Sequence, residues 1–139
     1  MKPLLPLVLC CSGVLTGCSL LGLYRVEKPQ WAPPEEAAAV RFPDSMEDGV
    51  RLTGPMMMAL KVAMNDYLPP GTRPEDQKTP EARCLARWDT INTTVQQAND
   101  DLFFVRFSPD LSRCAPGFIV LDAGAVYAID GQGRILARE

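Results

Sequence analysis

The stretch DLFFVRFS, residues 101–108, decides the fold class. Read with a period of two, it sets Phe103, Val105 and Phe107 on one face and Leu102, Phe104 and Arg106 on the other. That is a strand with one side on a core. Upstream, LARWDTINTTVQQ (85–97) is rich in β-branched residues and partly alternating, and Ala98-Asn99-Asp100 supplies a turn between the two. Downstream, PDLSRCAPG (109–117) reads as a loop. FIVLDAGAVYAID (118–130) reads as a longer strand bent or bulged at Gly124. Asp130-Gly131-Gln132-Gly133 is a hairpin turn, and RILARE (134–139) closes the sheet.

Before these strands the period changes. In LTGPMMMALKVAMNDYLPP (52–70), Met57, Leu60, Met64, Tyr67 and Leu68 recur at three- and four-residue steps, while Lys61, Asn65 and Asp66 fall elsewhere. Thr53 can cap the start, Pro55 is tolerated in the first turn, and Pro69-Pro70 stops the helix. Met56-Met57-Met58 suggests soft ligands for copper. Consecutive helical residues point about 100° apart and cannot converge on one ion, so core filling is the expected role. Residues 69–83 form a polar, Pro-rich connection with room for a short helical turn at Thr79-Pro80-Glu81.

The expected architecture is therefore α+β: one amphipathic helix, about 54–68, packed on a four-stranded antiparallel sheet with strands from about 85. Residues 51–139 form this domain. Residues 18–50 read as a tether, because KPQWAPPEEAAAVRFPDSMEDG (28–49) is rich in Pro, Ala and acids and has no sustained period. Its prolines favour extended, semi-stiff backbone. Trp31 and Phe42 are its large apolar groups, expected to dock on the domain or lie near a bilayer.

The chain carries a net charge of −3 and no run of basic residues, which argues against nucleic acid or anionic lipid headgroups as partners. With no histidine, the commonest general base and the usual triads are missing, and a zinc site is not expected. Ser108 and Ser112 flank a Pro-Asp turn and have no nucleophile-elbow pattern. Among carboxylates, Asp100-Asp101 falls in a turn, whereas Asp89, read as mid-strand, and Asp122 are the better candidates for acid–base work. Solvent-facing strand positions account for both. No cofactor is expected.

The first residues read as an address. Lys2 is a positive start, Leu4 to Leu15 an apolar run too short to span a bilayer, and small residues lead to Cys18. Leu15-Thr16-Gly17-Cys18 resembles the lipobox of bacterial lipoproteins. The resemblance implies a signal peptide over 1–17, cleavage before Cys18, and acylation of Cys18 with palmitate-type chains. Ser19 after it fits the outer membrane. The implied location is the cell envelope, lipid-anchored on the periplasmic side, held by several chains on one residue. Cys10 and Cys11 leave with the signal. Cys84 and Cys114 remain as an even pair in an oxidising compartment and are expected to form a disulfide.

The element order and the ending YAIDGQGRIL (127–136) resemble cystatin-like and nuclear-transport-factor-like folds. The layout of cysteines and strands also resembles small uncharacterised lipoproteins of Gram-negative, particularly myxobacterial, bacteria. Neither resemblance implies a function. The leading expectation is a non-enzymatic, lipid-anchored envelope protein whose domain binds or supports a protein partner. The alternative is a binder of a small ligand or cell-wall fragment on the concave sheet face, touched by Trp88, Asp122 and Tyr127, although packing on the helix is the favoured role of Trp88. A carboxylate-only hydrolase comes third.

Overall fold

The computed structural model describes residues 29–115, 117, 120 and 123–139. The expected signal segment and Cys18, and with them Asp122, Ile119 and Leu121, lie outside the described residues. Among those described, no helix is long and apolar enough to cross a membrane.

The tether is not extended throughout. Pro34–Ala39 forms a short helix, α1, because Pro34 sits at its first position and three alanines follow two glutamates. Trp31 and Phe42 stand fully in solvent, so neither docks on the domain.

The main helix, α2, runs Gly54–Tyr67. Thr53 Oγ1 accepts the Met56 N–H at 3.4 Å, and its carbonyl accepts the Met57 N–H at 2.9 Å. The Leu68 N–H closes the last turn on Met64 before the two prolines. The buried face differs from the expected one. Ala59 and Ala63 lie against the sheet, Leu60, Met64, Tyr67 and Leu68 are half-buried beside them, and Met57 is half exposed. Two alanines at the contact let the helix axis ride close over the large strand residues. Methionines at the same place would hold it off.

After a 3-10 turn at Pro74–Asp76, Pro80–Leu85 forms α3, with Thr79 Oγ1 accepting the Ala82 N–H at 3.1 Å. The chain then makes a second 3-10 turn, Trp88–Thr90. The expected strand at 85–90 is therefore replaced by helix and turn, and β1 begins at Ile91. Thr90 accounts for the change. It is fully buried, and its hydroxyl lies 2.9 Å and 2.8 Å from the carbonyls of Cys84 and Arg87. A local side-chain bond here competes with strand pairing and wins.

The sheet is a meander in chain order: β1 Ile91–Asn99, β2 Leu102–Pro109, β3 Ala125–Asp130 and β4 Ile135–Arg138, all antiparallel. Val95 pairs with Val105, and Val105 with Tyr127. Residues 118, 119, 121 and 122 of the expected longer strand lie outside the described residues, and the third strand runs Ala125–Asp130. It starts directly after Gly124, where a Cβ would stand 2.8 Å from the Phe107 carbonyl oxygen, so only glycine lets the chain enter the sheet there. Gly133 closes the β3–β4 turn at φ +79°. The core is Ala59, Ala63, Ile91, Phe103, Val105, Phe107, Ala125, Tyr127 and Ile129. The predicted period-two face of residues 101–108 is the one that is buried.

Cys84, buried in α3, is joined by a disulfide to Cys114, which follows the 3-10 turn Leu111–Arg113; their Cα atoms are 5.7 Å apart. The bond fixes α3 to the loop leaving β2. The Asp110 N–H, donating to the Thr90 carbonyl at 2.7 Å, and the Arg113 guanidinium, donating to the Asp89 carbonyl at 2.9 Å, hold the same corner.

Candidate functional site

The two faces of the sheet differ in kind. On the helix side, Phe107 is the hub of an aromatic cluster. Its ring centroid lies 4.8 Å from Tyr67, 5.6 Å from Trp88 and 5.9 Å from Tyr127. Such offset and edge-on pairs add to simple area burial. Trp88 keeps 38 % of its surface exposed while covering this cluster from the side. Tyr127 is wholly buried.

A polar chain runs out of this cluster. The Tyr127 hydroxyl donates to Asp66 Oδ2 at 2.9 Å, and the Arg138 guanidinium donates to the same oxygen at 3.2 Å. Arg138 also lies over the Tyr127 ring, 5.2 Å from its centroid. The Tyr67 hydroxyl donates to the Ala123 carbonyl at 2.5 Å. Burial pushes the Tyr127 hydroxyl up to about 12; its bond to Asp66 and the nearby Asp66 charge add to the shift, and Arg138 offsets part of it. Burial also raises Tyr67, with Arg138 again opposing. Both phenols are proton donors at neutral pH, holding structure.

Of the three residues expected to touch a ligand, Tyr127 is therefore a core residue, Trp88 a lid on the aromatic cluster, and Asp122 lies outside the described residues. Trp88 and Tyr127 each pack edge-on against Phe107, and Tyr127 keeps no exposed surface to offer a ligand. A shallow groove of about 240 Å³ lies elsewhere, lined by Ser108, Pro109, Leu111, Val120, Ala123 and Gly124.

The carboxylates weighed for catalysis are engaged locally. Asp89 lies in a turn rather than a strand and pairs with Arg87, whose hydrogen bonds hold its carboxyl below the usual range. Asp101 accepts the Gly131 N–H through its carbonyl at 3.1 Å and its side chain at 3.1 Å, stitching the two hairpin turns together. Asp130 receives the Gln132 and Arg134 N–H groups at 3.0 and 2.9 Å, and the Arg134 guanidinium at 2.6 Å. These bonds, the Arg134 backbone one foremost, depress its pKa. Among the described residues no cluster of three or more His, Cys, Asp or Glu could hold a metal.

Among the described residues, no helix covers the other face of the sheet. Asn92, Thr94 and Gln96 of β1 stand beside Ser108, Arg106 and Phe104 of β2, and these beside Val126 and Ala128 of β3. Phe104 and Arg106 are exposed at its centre, with small or neutral residues around them. Among the described residues Arg106 forms no ion pair, unlike Arg87, Arg113, Arg134 and Arg138. The arrangement sets an exposed aromatic ring and an exposed guanidinium two residues apart on one face of β2. Sequence reading put Phe104 and Arg106 on this face but did not single them out. Asp66, placed off the helix's working face, is in fact at the sheet, and nothing local in the sequence marks it.

Comparison of the chain with protein-family models, curated proteins and solved structures finds no match to any of them.

Proposed function

We propose that this chain is a lipid-anchored protein of the bacterial cell envelope, without catalytic activity, whose α+β domain binds a protein partner on the bare face of its sheet. The observation that carries the reading is the contrast between the two faces. One is filled by α2 and the aromatic cluster, and the other presents Phe104 and Arg106 to solvent. An aromatic anchor beside an uncommitted guanidinium suits a partner offering an apolar side chain and a carboxylate. The filled side favours this over a small ligand or cell-wall fragment on the helix-bearing face, since Tyr127 and Phe107 occupy that space themselves. The lipobox-like Leu15-Thr16-Gly17-Cys18 supports the anchor, acylated at Cys18 and facing the periplasm from the outer membrane.

Two variants of the full chain in its native envelope test the two halves separately. Cys18→Ser is expected to lose palmitate labelling and to accumulate with its signal uncut; retained label would refute the anchor. Phe104→Ala with Arg106→Ala is expected to lose a protein that cross-links to the wild-type chain, while Cys18 labelling persists. An unchanged cross-linking pattern would refute the proposed face.

A further inference from the structure

The two edges of the sheet are guarded very differently. β4 is four residues long, is flanked by Arg134 and Glu139, contains Arg138, and meets β3 through a register shift. Those are ordinary defences of an exposed strand. β1 is nine residues long, INTTVQQAN, with no charge and no proline. Its irregularity comes only at its far end, between Gln97 and Asn99.

The backbone parity of β1 follows from the ladder. Val126 and Glu139 exchange both backbone hydrogen bonds, at 2.8 and 3.0 Å, and Asp110 donates to Thr90. Alternation across an antiparallel sheet then bonds Asn92, Thr94 and Gln96 to β2, and turns the N–H and C=O of Thr93, Val95 and Gln97 to the open side. Beside this edge lies an apolar flank. Val62 of α2 sits over the β3–β4 turn, 3.5 Å from where a Cβ on Gly133 would be. The opposite flank of the helix, Leu60, Met64 and the half-exposed Met57, therefore faces the β1 side.

We infer that β1 pairs with β1 of a second copy of this chain, antiparallel about a two-fold axis at Val95, joining two four-stranded sheets into one. Val95 then faces Val95 of the second copy, and Thr93 faces Gln97, each pair with its backbone groups already turned toward the partner. The choice of a second copy rests on charge. The chain as a whole is acidic and would repel itself, yet this strand is neutral along its length, and about this axis it is self-complementary: Val95 meets Val95 and each Thr meets an uncharged Gln. Met57 and its neighbours add apolar contact beside the joint. The inference goes beyond the reading above, since it requires neither the anchor nor an external partner.

The test is the molecular mass of the full chain in detergent, by sedimentation equilibrium, at up to about 100 μM protein, where even weak self-association is populated. The wild type is expected to be a dimer. Thr93→Lys with Gln97→Lys sets lysine against lysine twice at the joint and is expected to weaken the dimer about tenfold or more. Thr93→Lys with Gln97→Glu sets lysine against glutamate twice and is expected to restore it. Both positions are exposed, and circular dichroism of both variants confirms the fold. A monomeric wild type, indifference to the double lysine, or failure of the lysine–glutamate variant to restore the dimer would each overturn the inference.

Discussion

Tyr127 of the third strand donates its hydroxyl proton to Asp66 in the last turn of the main helix, and Arg138 of the fourth strand completes the contact from the other side. One carboxylate thus ties three elements together. Tyr127→Phe removes a hydrogen bond to a charged group and is expected to destabilise the fold by about 1.5–3 kcal/mol, measured by urea denaturation. The same bond sets an alkaline limit. The folded pKa near 12 lies above the ordinary tyrosine value of 10.0, so the folded state holds the proton longer than the unfolded chain. The Tyr127 contribution should be constant below about pH 10 and fall away as pH rises from there toward 12. Tyr127→Phe should flatten that fall.

Acid should act through Asp130. Its carboxyl is held below 3.8 by the hydrogen bonds from Arg134 and Gln132, so its contribution is present above the unfolded value and lost as pH drops below about 4. Melting temperature followed from pH 6 to pH 2 should decline at the acid end. Asp130→Asn should start lower at neutral pH and decline less.

The disulfide is expected to give an intact mass two protons below the dithiol form. Cys84→Ala should cost roughly 2–5 kcal/mol, as for other small domains that depend on such a bond. Cys84 and Cys114 alkylating freely without reductant would contradict it.

Packing under the helix predicts an order of severity. Ala63 is fully buried, so Ala63→Leu should overpack the contact and cost about 1–3 kcal/mol. Phe103→Ala should cost about 3–5 kcal/mol, the usual toll of emptying a filled core. Met57→Ala, at a half-exposed position, should change stability by less than about 1 kcal/mol. Thermal or urea unfolding of the three variants would check the ranking.

Much of this fold was legible from residue spacing. The alternation through Phe103, Val105 and Phe107, the Asp-Gly-Gln-Gly turn, and the Thr53 cap followed by Pro55 each specify local geometry unaided. The helix's sheet-facing side was not legible, because a period count weighs bulky residues and passes over Ala59 and Ala63. What selects those two is how closely the helix lies on Phe103 and Tyr127, a tertiary matter. Residues 85–90 misled for a related reason. Thr90 reads as a strand former, and only the nearness of the Cys84 and Arg87 carbonyls makes it a turn-closing residue. Trp88 reads first as packing and, like Tyr127, as a ligand contact only under the alternative, because aromatic residues serve both interiors and binding sites; its place against Phe107 is the packing one. Asp66 had no local signal, its partners being distant in the chain.

The strand order, which repeats the order of the chain, has a consequence for how the molecule forms. The β1–β2 and β3–β4 hairpins close across short turns with little loop entropy lost, whereas β2 and β3 meet only across residues 110–124. The β2–β3 pairing, the seating of the helix and the closing of Cys84 on Cys114 bring distant segments together. Local hairpins of this kind form on the order of microseconds. The slow event should therefore be the oxidation of the two thiols, which lags any collapse by orders of magnitude. A refolding trace from the reduced, unfolded chain should separate into a rapid change in tyrosine and tryptophan fluorescence and a later phase that tracks thiol loss.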